Sequence, residues 1–307
     1  MTTLSVVIPA CNRPAELGQC LEALAREAAG AGAPEVIVVD DGSKSESRQR
    51  IEKACAGHGA AYVRHEQGRG PAAARNTGWR RAQGQWIAFL DDDVVPRKGW
   101  LSAVLAQTGG ADEGVAGIEG AVIPMGSGVW DEEVANRRGG LFLTANMVYR
   151  RRVLEQIGGF DEAFTGPFGE DQELAVRARQ QGRLDFSPDF LVLHQPRNIR
   201  LIRWLLQSAV RMRRLLDAEF HFYMKHRDTY HSCRYHTGFF GTLMSLCGRN
   251  VFISLKRRPR PLLTKHPLQT AVLAAGALIE QITACLLAPS YVCRFLWRSL
   301  CESRGLE

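Results

Sequence analysis

The sequence predicts an α/β protein built on a doubly wound, mostly parallel sheet with helices on both faces, followed by a basic, partly apolar helical region. Three observations carry the prediction. Apolar, β-branched runs at residues 4–8, 35–39 and 86–90 show no polar alternation, as strands buried on both faces require. Between them apolar residues recur at helical spacing, with Leu17, Cys20, Leu21 and Leu24 at i, i+3, i+4 and i+7. Such an alternation of strand and helix over roughly 95 residues implies parallel βαβ units.

The elements follow in order. The first strand, 4–8, stops at Pro9, and Pro14 opens a helix with its fixed φ. The second strand, 35–39, runs into Asp40-Asp41-Gly42-Ser43, and a polar helix continues to about Cys55. Residues 61–64 read as a third strand, 67–71 as a Gly-rich loop, 72–82 as an Ala-rich helix and 86–90 as a fourth strand ending in Asp91-Asp92-Asp93. Beyond a helix at 99–107 the pattern loosens. Residues 115–123 read as a strand, 126–140 as a loop, and 141–149 as an extended segment entering a short helix around Val153. A helix over 170–181 and a last strand over 190–193 lead to His194, and no internal repeat is present.

With 307 residues, 45% of them apolar and 23% charged, the chain is neither disordered nor collagen-like, and it can form one large domain or two small ones. The net charge of +7 is divided unevenly. Residues 1–195 carry 21 Lys and Arg against 26 Asp and Glu, and residues 196–307 carry 18 against 6. That break places a catalytic domain over 1–196 and a basic helical region over 197–307. Eight cysteines without a C-x-x-C pair point to a reducing compartment. The amino terminus lacks a basic n-region and reads as no secretory signal, which puts the first domain in the cytoplasm.

In doubly wound sheets ligands bind beyond the carboxyl ends of the strands, so Asp40, Asp41 and Asp91 to Asp93 are expected to converge on one crevice. Three adjacent carboxylates there call for compensation, by a divalent cation that bridges phosphate oxygens or by solvent over a helix-capping loop. Asp40-Asp41-Gly42-Ser43 reads either as a turn with Asx hydrogen bonds or as a carboxylate that accepts from a base or ribose. Gly68-x-Gly70-x-x-Ala73 formally satisfies the dinucleotide fingerprint, but it follows the third strand rather than the first, precedes an acidic triplet and carries Arg75 on its helix. Glu170 and Asp171 at a helix start could cap it or supply a general base. His194 could be a satisfied polar residue or a ligand.

In order and spacing these segments resemble the family 2 glycosyltransferases, nucleotide-sugar enzymes with the GT-A fold. The matching stretches are SVVIPACNR at 5–13, VVDDGS at 38–43, GPAAARNTG at 70–78, IAFLDDD at 87–93, TANMVYRR at 144–151, GGFDE at 158–162 and GEDQEL at 169–174. The resemblance implies that the Pro9 to Asn12 turn and Asp41 hold the base and ribose of the donor, while Arg75 and the Gly70 loop border the diphosphate. Asp91-x-Asp93 stands where the family has its metal-binding D-x-D, with Asp92 on the donor side and His194 as a further metal or phosphate contact. Mg or Mn would be the cation. Asn146 and Glu170 fall on the acceptor side, and Asp171 would be the base of a single, inverting displacement. Two departures matter. Cys11 stands where many relatives have a stacking aromatic, and residues 200–204 keep only the Arg-Trp end of the processive Q-x-x-R-W segment, which implies transfer of one sugar per binding event.

The basic third reads as membrane-associated. Residues 268–297 are long enough to span a bilayer, yet Glu280 and Gln281 sit near the middle and Pro289 interrupts them. Amphipathic segments lying in the interface beside the polybasic hinge at 256–261 fit the pattern as well, as does packing against the catalytic domain. No nucleic-acid-binding module is recognisable. His221, His226, His231 and His236 recur every five residues and build no single helical face. The sequence therefore reads as a metal-dependent glycosyltransferase at the cytoplasmic membrane surface, with a UDP-, GDP- or dTDP-linked donor and a glycan or lipid-linked acceptor of the cell envelope. The rivals are a nucleotidyltransferase of similar architecture, which would need a Gly-rich loop after the first strand, and a non-catalytic membrane adaptor that keeps the fold.

Overall fold

A computed structural model describes residues 4–31, 33–125, 134–195 and 206–226, with eight single positions between 275 and 290. The chain divides into two compact units, Met1–Arg197 and Asn198–Glu307. In the first, β1 (Leu4–Ala10), α1 (Pro14–Ala31), β2 (Glu35–Asp41), α2 (Ser45–Gly57), β3 (Ala61–His65), α3 (Pro71–Arg81) and β4 (Trp86–Leu90) alternate as the apolar pattern requires. They are followed by β5 (Val94–Pro96), α4 (Trp100–Gly110), β6 (Val115–Pro124), β7 (Asn146–Arg150), α5 (Arg151–Ile157), α6 (Glu170–Arg179) and β8 (Arg183–His194).

The eight strands form one sheet in the order β3-β2-β1-β4-β7-β6-β8-β5. β1 pairs in parallel with both β2 and β4, β2 with β3, and β6 with β8. β7 runs antiparallel to β4 and β6, and β5 antiparallel to β8. The sheet is thus parallel at its leading half and mixed beyond it.

Side chains alternate across β1, so Val6 and Ile8 pack with α1, α2 and α4 on one face while Val7 packs with α3, α5 and α6 on the other. Burial on both faces accounts for the unbroken apolar runs. Helix α3 lies close on β1, because a Cβ on Gly78 would stand 2.3 Å from Val7 Cγ1. Gly78→Ala therefore sets a helix-propensity gain of about 1 kcal/mol against overpacking of about 1–3 kcal/mol, and packing wins because Val7 is fully enclosed. A lower urea midpoint at constant m is the expected result.

Two elements differ from the sequence expectation. The last strand covers Arg183–His194 rather than 190–193, and its pairing with β6 jumps from Gly120↔Ser187 to Ala121↔Leu191. Pro188 cannot donate to a ladder, so the irregularity falls there and hides the continuity of the strand. The short β5 follows the acidic triplet and, at 3 residues, is too brief to show a strand period in the sequence.

In the second unit the described helix is Ser208–Lys225, which buries Met212, Leu216 and Phe222 and exposes Val210 and Arg213. Among the described residues no helix is long and apolar enough to cross a membrane. The apolar segment expected at 268–297, the hinge at 256–261, His231, His236 and the Arg-Trp pair at 203–204 lie outside the described residues, apart from the single positions in 275–290.

Candidate active site

Strand alternation sends the two carboxylates that end β2 in different directions. Asp40 turns inward, fully buried, and accepts from the Ser43 amide at 2.9 Å, the Tyr62 hydroxyl at 2.8 Å and Arg64 Nη1 at 2.7 Å. Burial raises its pKa, but the bonds from Ser43 and Tyr62 and the Arg64 cation outweigh that and hold it below the ordinary aspartate range. A depressed folded-state pKa adds stability above the unfolded value that is lost as pH falls through the folded one. Acid unfolding should steepen below about pH 4, and Asp40→Asn should remove that part of the pH slope from a urea titration series.

Asp41 turns outward. Its oxygens accept from the Arg69 and Gly70 amides, both at 2.8 Å, and lie 2.7 Å from His65 Nδ1, whose Nε2 is 2.8 Å from Thr77 Oγ1. The loop of the formal dinucleotide fingerprint thus clamps a carboxylate through the Arg69 and Gly70 amides. Gly42, at φ 77°, meets the Gly68 amide where a Cβ would stand 2.4 Å away, so a side chain at 42 would break the clamp. Asn12 adopts φ 57°, a left-handed conformation that Asn tolerates, and ties the β1 turn to this loop: its amide donates to Ser43 Oγ, and its Oδ1 accepts from the Lys44 amide.

The acidic triplet at the end of β4 is met by two arginines. Asp91 lies 2.8 Å from Arg75 Nη2, and Arg75 Nη1 is 3.0 Å from Glu170 Oε1. Asp92 takes Arg13 Nη1 at 3.0 Å and the Cys11 amide at 3.3 Å, and Asp93 takes the same Arg13 nitrogen at 2.6 Å. Burial pushes the Asp92 carboxyl up to about 7 despite the Arg13 cation, with Asp93 and Asp91 adding to the rise. The pairing of β5 with β8 sets Val94 opposite His194 and so brings His194 Nε2 to 3.5 Å from Asp93 Oδ1.

Pro9, Cys11, Arg13, Asp41, Arg75, Asp91 and Asp92, together with Pro167, line a cleft of about 210 Å³. The expected convergence of the two acidic strand ends is therefore observed. Asp93 and His194 do not line this cleft, and both are nearly fully buried. Among the described residues no three His, Cys, Asp or Glu side chains form a ready metal cage. A carboxylate and an imidazole nitrogen facing each other beside a cleft-lining Asp91 are nevertheless donors that suit a divalent cation completed by phosphate oxygens, so the residues fit the ion.

Asp171 is the second residue of α6, and its charge is felt by the Arg75 guanidinium. Two acceptor-side expectations are corrected. Asn146 is fully buried, donating to the Ala121 and Phe190 carbonyls and accepting from Trp100 Nε1, so it ties β6, β7, β8 and α4 together and faces no acceptor. Glu170 is likewise inside, spent on Arg75. Arg13 and His65 also belong to the site. Their only local sign is a basic side chain placed just after a strand or at its end, which many surfaces share.

A mixed sheet that gathers acidic strand ends at one cleft is the architecture of the GT-A glycosyltransferases. The fold matches the mannosyltransferase PcManGT of Pyrobaculum calidifontis, solved with GDP-Man and Mn2+, at a TM-score of 0.56 and 18% identity over 91% of this chain and 87% of that one. The N-terminal unit belongs to glycosyl transferase family 2, whose family model matches residues 5–133. Among curated proteins, the pre-mycofactocin glycosyltransferase of Mycobacterium tuberculosis is 31% identical over 229 residues, 67% of this chain. This chain spans only 45% of that protein's length. Glycosyltransferase AglE of Haloferax volcanii is 28% identical over 210 residues, 63% of this chain and 67% of that protein.

Proposed function

We propose that the protein is an inverting glycosyltransferase that moves one sugar from a nucleotide-sugar donor to an acceptor hydroxyl. The observation that carries the proposal is the cleft shared by Asp41 and Asp91 in a family 2 domain. Asp41, held by its loop amides and His65, presents its remaining lone pairs to the base or ribose, and the Pro9 to Asn12 turn forms the wall of that subsite. Asp91, Asp93 and His194 would hold a divalent cation, Mg or Mn, which supplies Lewis-acid stabilisation of charge on the departing diphosphate. Arg13 takes one oxygen of Asp93 and leaves the other facing His194. On the other side Asp171 accepts the proton of the attacking hydroxyl, which then reaches the anomeric carbon from the face opposite the nucleotide. Asp92, bound to Arg13 and the Cys11 amide, braces the β1 turn against the strand end.

The decisive experiment is a panel of UDP-, GDP- and dTDP-sugars assayed for Mn2+-dependent binding and transfer. One nucleotide should bind and release its sugar. Binding of none would revive a non-catalytic adaptor, and release of pyrophosphate from a nucleoside triphosphate would support a nucleotidyltransferase.

We further infer a glycan or lipid-linked acceptor at the cytoplasmic membrane surface, supported by the concentration of 18 of the 39 Lys and Arg residues beyond position 195, interleaved with apolar stretches. The full chain should sediment with anionic vesicles and be released as salt shortens the Debye length to about 3 Å at 1 M. A chain ending at His236 should remain in the supernatant. Equal behaviour of the two would remove the membrane from the account.

A further inference from the structure

Arg75 is a buried cation in the middle of α3, 4% exposed, and its planar guanidinium forks between two elements that share no backbone pairing. One nitrogen is 2.8 Å from Asp91 at the end of β4, and the other is 3.0 Å from Glu170, the first residue of α6. The Phe160 ring lies 5.6 Å from its central carbon and covers one face. A two-pronged guanidinium fixes the carboxylates it joins relative to each other, which a point charge cannot do. The residue after Glu170 is Asp171.

A second feature gives this fork its reach. Helix α6 begins after Gly169 at φ 84°, a residue with no side chain to cap the helix, and in the first turn Asp171 Oδ1 accepts from the Gln172 amide at 2.8 Å, a bond that stays within the helix. The Arg75 fork, by contrast, runs across to the end of β4. Arg75 Nε and Glu170 Oε2 are both buried without another hydrogen-bond partner, so neither residue has a second attachment through those atoms.

The geometry points to Arg75 as a positioning residue that ties the helix bearing Asp171 to the donor-side carboxylate of Asp91 through Glu170, and so sets the distance between base and donor. This deepens the glycosyltransferase reading and rests on it. It also differs from the diphosphate contact that the family resemblance implies for Arg75, since both terminal nitrogens are already engaged by carboxylates. A diphosphate contact acts on nucleotide affinity, whereas a strut acts on turnover.

The test compares Arg75→Gln, Arg75→Lys, Glu170→Gln and the Arg75→Gln/Glu170→Gln double variant with the wild type, using the nucleotide found in the donor panel with Mn2+. Each glutamine variant should lower kcat about 100-fold, as a displacement of about 1 Å in a reacting group can. Nucleotide Kd by calorimetry should stay unchanged. The double variant, which removes the buried Glu170 charge together with its cation and leaves only the part-exposed Asp91 without Arg75, should be no slower than either single one, because the two residues act as one unit. Arg75→Lys keeps the charge without the fork and should recover part of the loss. Weaker nucleotide binding with kcat retained in Arg75→Gln would overturn the strut in favour of a diphosphate contact, and additive losses in the double variant would overturn it as well. An activity-independent readout separates the two levels of the argument. Hydrogen exchange at the amides of Glu173 and Leu174 should speed up in Arg75→Gln, and unchanged protection there overturns the strut even if the wild type transfers no sugar and the functional reading itself has failed.

Discussion

Asp171→Asn is expected to reduce sugar transfer by about 10²–10⁴-fold, the range that general-base catalysis contributes, with nucleotide binding intact. The substitution keeps the shape of the side chain and removes only its capacity to take a proton. Asp171 sits in the first turn of α6, and its charge acts on the Arg75 guanidinium. Steady-state transfer by the variant, alongside calorimetric nucleotide binding, checks both halves. Transfer at the wild-type rate would move the base elsewhere, while loss of nucleotide binding would place Asp171 in the donor site instead.

The second large effect is expected from Asp93→Asn, which should abolish the Mn2+ dependence of nucleotide binding. Removal of residues that merely support metal ligands typically costs 10–100-fold in metal affinity, so loss of a ligand should cost more than about 100-fold. Arg13 keeps its contact with Asp92 in this variant and, being one-third exposed, strands no charge in the core. The fold should therefore survive, and a melting curve close to wild type is part of the expected result. His194→Ala should weaken Mn2+ less, because the imidazole lies 3.5 Å from Asp93 and shares the ion rather than holding it alone. Titration of Mn2+ by electron paramagnetic resonance, without any donor, reads both variants directly. Retained affinity in Asp93→Asn would transfer the ion to Asp91 and its neighbours.

Much of this arrangement is local in origin and therefore legible along the chain. A strand buried on both faces has to be continuously apolar, so 4–8, 35–39 and 86–90 announce themselves, and so does the parallel half of the sheet they build. The placing of Asp41 and Asp91 at one cleft follows from that topology alone, since neighbouring parallel strands end on the same side. The amino-acid order also carries the family, whose model matches residues 5–133 and so takes in the first four of the seven short blocks.

What a residue at the site does, by contrast, depends on partners far away in the chain. Arg75 is separated from Glu170 by 95 residues, and Arg13 from Asp93 by 80, so no spacing rule could reveal that these cations are already bound. Asn146 sits in a block that the family resemblance sets on the acceptor side, yet its amide is buried and closes hydrogen bonds to strands 25 and 44 residues away. His194 became a neighbour of Asp93 only because β5, three residues long, pairs with the end of β8. The parallel half of the sheet, the acidic strand ends and the family are legible along the chain, because hydrophobic periodicity and turn chemistry act between near neighbours. Which charges are spent inside the fold and which remain for a substrate emerges on folding, because a buried charge is stabilised by whichever opposite charge the fold brings to it.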